Sequence, residues 1–288
     1  MKSKITGGET TFLFTANVLN KYPVKYFRCN DTGFIQTEEP HWLKEAYVSA
    51  ITALDLGLAM RNYNFAESVA KIIDNNFDYK AKFLDSAGGY GLFTRLMRDK
   101  GFDFYHTDDY CKNIFANHFT LDTLAHNQQF ELVTTFEAFE HFSKPLEEIN
   151  KLFTYSDNIL FSTELVPNIP INQASDWWYF SLETGQHISF YTIPALQHIA
   201  KINNSNFYSN GSSMHLFSKK QFVINPFEMP FKTKTKDSFI VEITKKILWH
   251  LERKTILKRE KEAQLFKHES LLQKDVDYIK SLISNSKY

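Results

Sequence analysis

Few folds accommodate the stretch Ala81 to Lys100 (AKFLDSAGGYGLFTRLMRDK). A short apolar run ends in Asp85, a turn follows through Gly88, Gly89 and Gly91, and apolar residues then recur at helical spacing until Gly101. A strand that hands its C-terminal end to a glycine turn lets backbone pass close to a ligand. The helix behind it presents free N–H groups at the same place. Dinucleotide and adenosyl cofactors both use this geometry, and an ordinary strand-to-helix turn reads the same way. The next predicted strand, Phe102 to Thr107, closes on Asp108-Asp109. That is roughly 20 residues on, where a carboxylate can accept from both ribose hydroxyls of such a cofactor. Asp108 could equally cap a helix starting near Tyr110.

The rest of the chain continues the alternation. Phe130 to Thr135 and Asn158 to Leu165 read as strands, with a helix over Leu146 to Phe153 between them. Ile193 to Ile202 suits a further helix, and Asn206 to Lys219 holds two short strands around the hairpin signal Asn210-Gly211. Strands alternating with helices predict an α/β fold with a mostly parallel sheet, helices on both faces and an antiparallel terminal hairpin. Ahead of it, residues 1–45 read as irregular or short-stranded, with a strand over Lys25 to Arg28 and a turn at Asn30-Asp31-Thr32-Gly33. Leu43 to about Asp74 reads as helices broken near Arg61-Asn62 and covering the cofactor cleft. The aromatic stretch Asp176 to Tyr191 reads as a loop over the C-terminal edge of the sheet. From Phe239 onward, Ile240, Ile243, Ile247, Leu251, Leu265, Leu272 and Ile279 could form an apolar helical stripe, packing on the core or pairing two copies as a homodimer. The expected division is an N-terminal extension with lid helices (1–64), a core (65–225) and a C-terminal helical region (226–288).

Composition narrows the function classes. Lysine plus arginine equals aspartate plus glutamate, 33 against 33, so no global field draws the chain to nucleic acid or anionic membrane. No stretch approaches ~20 apolar residues, so no membrane partner is expected. The opening MKSKITGGETTFLF has no long apolar run after its lysines, which argues against a secretory signal. The two cysteines, Cys29 and Cys111, make no disulfide framework and fit a reducing, cytoplasmic setting.

After the third strand comes Phe136-Glu137-Ala138-Phe139-Glu140-His141-Phe142, with Pro145 just beyond. Asp85 to Gly91, Asp108, Glu140-His141-Phe142 and the strand Ile159 to Thr163 stand in the order of the class I S-adenosylmethionine-dependent methyltransferases, and roughly residues 65–220 resemble that family. The resemblance implies a Rossmann-like methyltransferase sheet with S-adenosyl-L-methionine as cofactor. It implies a cofactor site of Asp85, Ala87, Gly88, Gly89, Gly91, Asp108, Asp109, Thr135, Phe136 and Glu137. One departure stands out: Ala87 replaces the first motif glycine, and alanine tolerates positive φ poorly. A narrower similarity, in Cys29 to Ile35 and Trp177-Trp178 to Thr192, is to bacterial methyltransferases of glycan or deoxysugar biosynthesis. Some of those carry a zinc-binding cysteine cluster near the N-terminus. Cys29 alone cannot build one, so no metal is expected there.

The sequence leaves the acceptor open between a small molecule and a glycan precursor. Candidate catalytic groups near the cleft mouth are His141, His187 and Tyr191, needed only where the acceptor must lose a proton. Each histidine could instead be a satisfied structural residue. Trp177 and Trp178 could stack on a flat acceptor or anchor packing. If helical, Glu137, Glu140 and His141 share one side at i, i+3 and i+4 and could chelate a divalent ion, although ordinary helix-start acids explain the glutamates equally. Two other readings stay open: an NAD-dependent oxidoreductase, and a methyltransferase-like fold retained for binding. The first is opposed by the Glu-His motif and the terminal hairpin, the second is favoured by Ala87.

Overall fold

The computed structural model describes residues 1–48, 55–228, 268 and 270–285. Its centre is a 6-stranded sheet with β4 (Lys82–Ser86), β5 (Asp103–Thr107), β6 (Leu132–Thr135), β7 (Asn158–Ser162), β9 (Asn206–Ser209) and β10 (Met214–Ser218) in the order β5-β4-β6-β7-β10-β9. The first four run parallel, while β10 lies antiparallel to both β7 and β9. The expected sheet and its terminal hairpin are therefore present.

Alternation along each strand divides the core into two layers. Leu84, Val133, Ile159 and Phe217 face one side, where they meet α4 (Pro145–Phe153) and α5 (Ile193–Ile202). Their neighbours Phe83, Leu132, Leu160 and Leu216 face the other, packed by α2 (Leu58–Asn76) and α3 (Leu92–Asp99). Every residue of β6 and β7 is buried, as strands covered on both faces must be. Helix starts follow their local chemistry. Pro145 opens α4, where its missing N–H costs nothing, and the Thr192 hydroxyl accepts from Ala195 N to cap α5.

The N-terminal segment is more regular than its sequence suggests. β1 (Thr10–Val18) and β2 (Tyr22–Cys29) form a long antiparallel hairpin, extended by β3 (Ile35–Thr37) and β8 (Ser189–Phe190) into a second, 4-stranded sheet. The hairpin escapes notice because its turn residues, Leu19 and Asn20, both take φ of 54° without a glycine to announce them. Because β8 comes from the aromatic stretch beyond β7, this sheet joins the N-terminal segment to the later part of the chain. A separate aromatic cluster, including Phe14, Tyr26, Trp42, Trp177 and Phe180, lies beneath it.

One further expectation changes. α2 runs unbroken through Arg61-Asn62, since Asn62 returns its side-chain amide to Leu58 O and Arg61 reaches Asp55. The 65-residue boundary expected for the core falls within this helix. At the C-terminus only α6 (Leu272–Asn285) is described. The stripe positions Ile240, Ile243, Ile247, Leu251 and Leu265 lie outside the described residues, as do the side chains of Leu272 and Ile279.

Among the described residues, helix α6 is tied to the core by an ion pair. Arg98 of α3 is 4% exposed and gives its Nε and Nη2 to the Asp275 carboxylate at 2.9 and 2.8 Å. Its Nη1 donates to Asp103 and to Phe104 O, and the guanidinium lies 3.8 Å from the Phe119 ring centroid. Removing Asp275 takes away the two hydrogen bonds of Arg98 Nε and Nη2 and leaves that buried guanidinium with Asp103 and Phe104 O alone. Asp275→Ala is therefore expected to lower unfolding free energy by about 3 kcal/mol, measured by urea denaturation, whereas a change at the exposed Gln273 leaves it within about 0.5 kcal/mol.

Candidate active site

The C-terminal ends of β4, β5 and β6 open into a cleft of about 850 Å³, walled on its far side by α2 and by the aromatic segment after β7. Asp85 sits at its floor, 2% exposed, and accepts from the hydroxyls of Thr94 at 3.0 Å and Thr134 at 3.1 Å. Burial pushes its carboxyl up to about 7, partly offset by those two hydroxyls.

The glycine turn folds over this carboxyl. A Cβ on Gly88 would stand 2.5 Å from Asp85 Oδ2 and 2.7 Å from His106 Cδ2, so only glycine fits. Gly89 and Gly91 take φ of 57° and 82°, and Ala87 itself takes 55°. The alanine thus adopts the left-handed conformation that glycine would have supplied, at a cost of about 1 kcal/mol, and the path of the turn is kept.

Asp108 lines the cleft beside this turn, but no helix begins after it. Its Oδ1 accepts from Tyr110 N at 2.7 Å and Cys111 N at 2.6 Å, and its Oδ2 from Gly89 N at 2.9 Å. A carboxylate offers about four lone-pair sites, so about one is left for a ligand hydroxyl rather than the two expected. Asp109, Thr135, Phe136 and Glu137 also line the cleft, while Gly91 shapes the turn from behind, where a Cβ would strike Asn113. Thr135 Oγ1 is buried with no hydrogen-bond partner among the described residues. A turn with no room for a Cβ at Gly88, an orphaned hydroxyl and a free acidic lone pair together suit a polar ligand laid along the strand ends. The residues therefore fit an adenosyl cofactor.

A second set of titratable groups lines the same cleft. Glu140 and His141 form a short 3₁₀ turn, and Glu137 stands outside it with φ of 51°. The three do not share one helical side. Glu137 Oε1 accepts from Ser162 Oγ at 2.6 Å, and its Oε2 lies 3.8 Å from Arg61 Nε. His187 takes the place beside the other two instead: its ring centroid lies 5.0 Å from that of His141. Its Nδ1 donates to Tyr179 O at 2.7 Å, and His141 Nδ1 meets the Tyr47 hydroxyl at 2.8 Å. Burial holds both imidazoles neutral, His187 down to about 4 and His141 well below the usual range with help from its neighbour. Burial, then the charge of Glu137, raises the Glu140 carboxyl above the ordinary carboxylate range. The Thr163 and Tyr179 hydroxyls favour its charged form without reaching hydrogen-bond geometry.

Tyr191 does not belong to this group. It is fully buried, donates to Phe139 O at 3.0 Å and touches no part of the cleft. The adjacent tryptophans divide: Trp177 is packed into the aromatic cluster, whereas Trp178 is 74% exposed at the cleft mouth. Cys29 is buried, its Sγ 3.5 Å from Thr6 Oγ1. Tyr47 and Arg61 were not foreseen as site residues. Tyr47 stacks on Tyr110 at 5.0 Å, and nothing in its local sequence signals that the short helix α1 (Leu43–Ala46) would bring it there.

A mostly parallel sheet closed by an antiparallel hairpin, with a glycine-rich turn and an acid at successive strand ends, defines a Rossmann-like nucleotide-cofactor enzyme. Residues 45–208 match the methyltransferase domain family, and the chain belongs to it. It is an S-adenosylmethionine-dependent methyltransferase, which decides against the NAD-dependent alternative. No curated protein sequence matches the chain. Among solved structures it is similar to the plantazolicin methyltransferase BpumL with a monoazolic desmethyl analogue and S-adenosylhomocysteine, at 10% identity and a TM-score of 0.42, covering 62% of this chain and 93% of that one. The mitomycin 7-O-methyltransferase MmcR gives 11% and 0.40, with 61% and 60% covered. The magnesium protoporphyrin IX methyltransferase of Synechocystis PCC 6803 gives 11% and 0.35, with 61% and 89% covered. Among the described residues no helix is long and apolar enough to cross a membrane.

The Asp85 carboxyl has a stability consequence. Raised from 3.8 to about 7, it keeps its proton in the folded state while the unfolded chain ionises. The folded state then binds more protons, so this group's contribution falls as pH rises from about 4 to about 7. Asp85→Asn should remove that decline, seen as a flatter melting temperature against pH.

Proposed function

We propose that the chain transfers a methyl group to a small-molecule or glycan-precursor acceptor that carries a hydroxyl and a flat face. The observation behind this reading is the division of the cleft. The glycine turn and Asp108 form one end, and Glu140, His141 and His187 the other, within a single space of about 850 Å³.

When bound, S-adenosylmethionine supplies an electrophilic methyl carbon, so the protein's tasks are alignment and exclusion of water. The backbone from Ala87 to Gly89 and the start of α3 would hold the cofactor, with Asp108 accepting from a ribose hydroxyl. Phe65 and Phe136, stacked with centroids 4.4 Å apart, wall the cleft against water. Trp178, Tyr110 and Tyr47 offer ring faces at the mouth for a sugar or an aromatic acceptor. The acceptor's reacting group would then face the Glu140–His141–His187 end, where neutral imidazoles orient it.

Calorimetric titration with S-adenosylhomocysteine tests the cofactor end. Micromolar binding is expected, with none for NAD. Asp108→Ala and Gly88→Ala should each weaken it at least tenfold, and Trp178→Ala should leave it unchanged. A folded protein that binds no S-adenosylhomocysteine would leave only a binding role for the fold.

A further inference from the structure

We propose that Glu140, His141 and His187 bind a divalent transition-metal cation, and that this cation receives a hydroxyl oxygen of the acceptor. The inference rests on the methyltransferase reading above and specifies what occupies the second end of the cleft.

Three observations carry it. One ligand atom from each residue lies within 4.8 Å of the others, close enough for a single ion to bridge them. Both histidines also have their Nδ1 atoms engaged, His187 with Tyr179 O and His141 with the Tyr47 hydroxyl. That leaves the two Nε2 atoms as the ones available to bind. A ring nitrogen tied to a carbonyl or hydroxyl while the other stays free is how metal-binding histidines are held in orientation and tautomer. The third is that Glu140 is fully buried and neither carboxylate oxygen has a hydrogen-bond partner among the described residues.

An orphaned buried carboxylate is expensive unless something compensates it. The cation nearest in character, Arg61, spends both terminal nitrogens on Asp55 and its Nε lies beside Glu137. Glu137 is itself held by Ser162, so it is no substitute for His187 in the set.

Two imidazoles and one carboxylate suit zinc, manganese, iron or cobalt better than magnesium, which prefers an all-oxygen shell. Three protein ligands leave positions open, and all three residues line the cleft, so the open positions face the acceptor. A cation there polarises a hydroxyl and favours loss of its proton to water. The exposed oxygen attacks the methyl carbon, the C–O bond forming as the C–S bond breaks with its electron pair left on sulfur. The acceptor class implied is a hydroxyl compound, and the product is a methyl ether.

The test uses the full chain stripped with a chelator, then titrated with Mn²⁺, Zn²⁺ and Co²⁺ by calorimetry, with the bound metal counted by mass spectrometry and melting followed in parallel. One equivalent should bind and raise the melting temperature, and Co²⁺ should show a ligand-field absorption band. His187→Gln and Glu140→Gln should each weaken metal binding at least tenfold and abolish the thermal shift. Both should still bind S-adenosylhomocysteine, which also shows that they fold. Asp108→Ala should do the reverse, keeping the metal and losing the nucleoside. A wild-type protein that binds S-adenosylhomocysteine but takes up no stoichiometric metal overturns the cation and leaves the methyltransferase reading standing. Metal uptake unaffected by either substitution overturns this ligand set.

Discussion

The buried carboxyl of Asp85 is the point to which the glycine-turn side of the cleft is tied. Hydroxyls from α3 and β6 converge on it, and Gly88 crosses it so closely that no side chain could be added. One group thereby joins the first parallel strand, its neighbour and the helix behind the turn. Hydrogen bonds to a buried charge-capable group are worth more than their neutral counterparts, and leaving such a group unmet costs more still. The cradle is rigid because its parts share an acceptor that none can leave without penalty.

The other end of the cleft is held differently. His187, Tyr179 and Trp178 all lie on the segment that runs into β8, and β8 pairs with β3 of the N-terminal sheet through Ile35 opposite Phe190. The aromatic cluster under that sheet fixes the segment from below. His141 and Glu140, by contrast, follow directly from β6 of the central sheet. The titratable group is therefore assembled where two sheets meet, each contributing part of it.

The legible and illegible parts of this protein separate along physical lines. Strand, glycine turn and helix from Lys82 to Asp99, the acid at Asp108 and the hairpin at Asn210-Gly211 are local patterns, and each stands where its sequence places it. The N-terminal hairpin was hidden because Leu19 and Asn20 accept positive φ without glycine, and because its sheet needs a strand from residues 189–190. Arg61-Asn62 looked like a break because polar residues interrupt the apolar pattern, yet they face the cleft from a continuous helix. Tyr191 and His187, four residues apart in one aromatic stretch, could not be told apart from sequence. Only the tertiary placement turns one into the core and the other to the cleft. Glu137 likewise left the Glu-His group because a single residue with φ of 51° redirects the backbone before the turn.

The pairing of β3 with β8 also separates two kinds of heritable change. Substitutions in the N-terminal hairpin, at Phe14 or Tyr26 for instance, press on Phe180 and Phe190 and through them on the segment that presents Trp178 and His187. They do so without touching Asp85, Gly88 or Asp108. A lineage of such chains can thus reshape the Trp178 and His187 side of its cleft by drift in a sheet remote in sequence, while the glycine turn over Asp85 stays under its own, independent restraint.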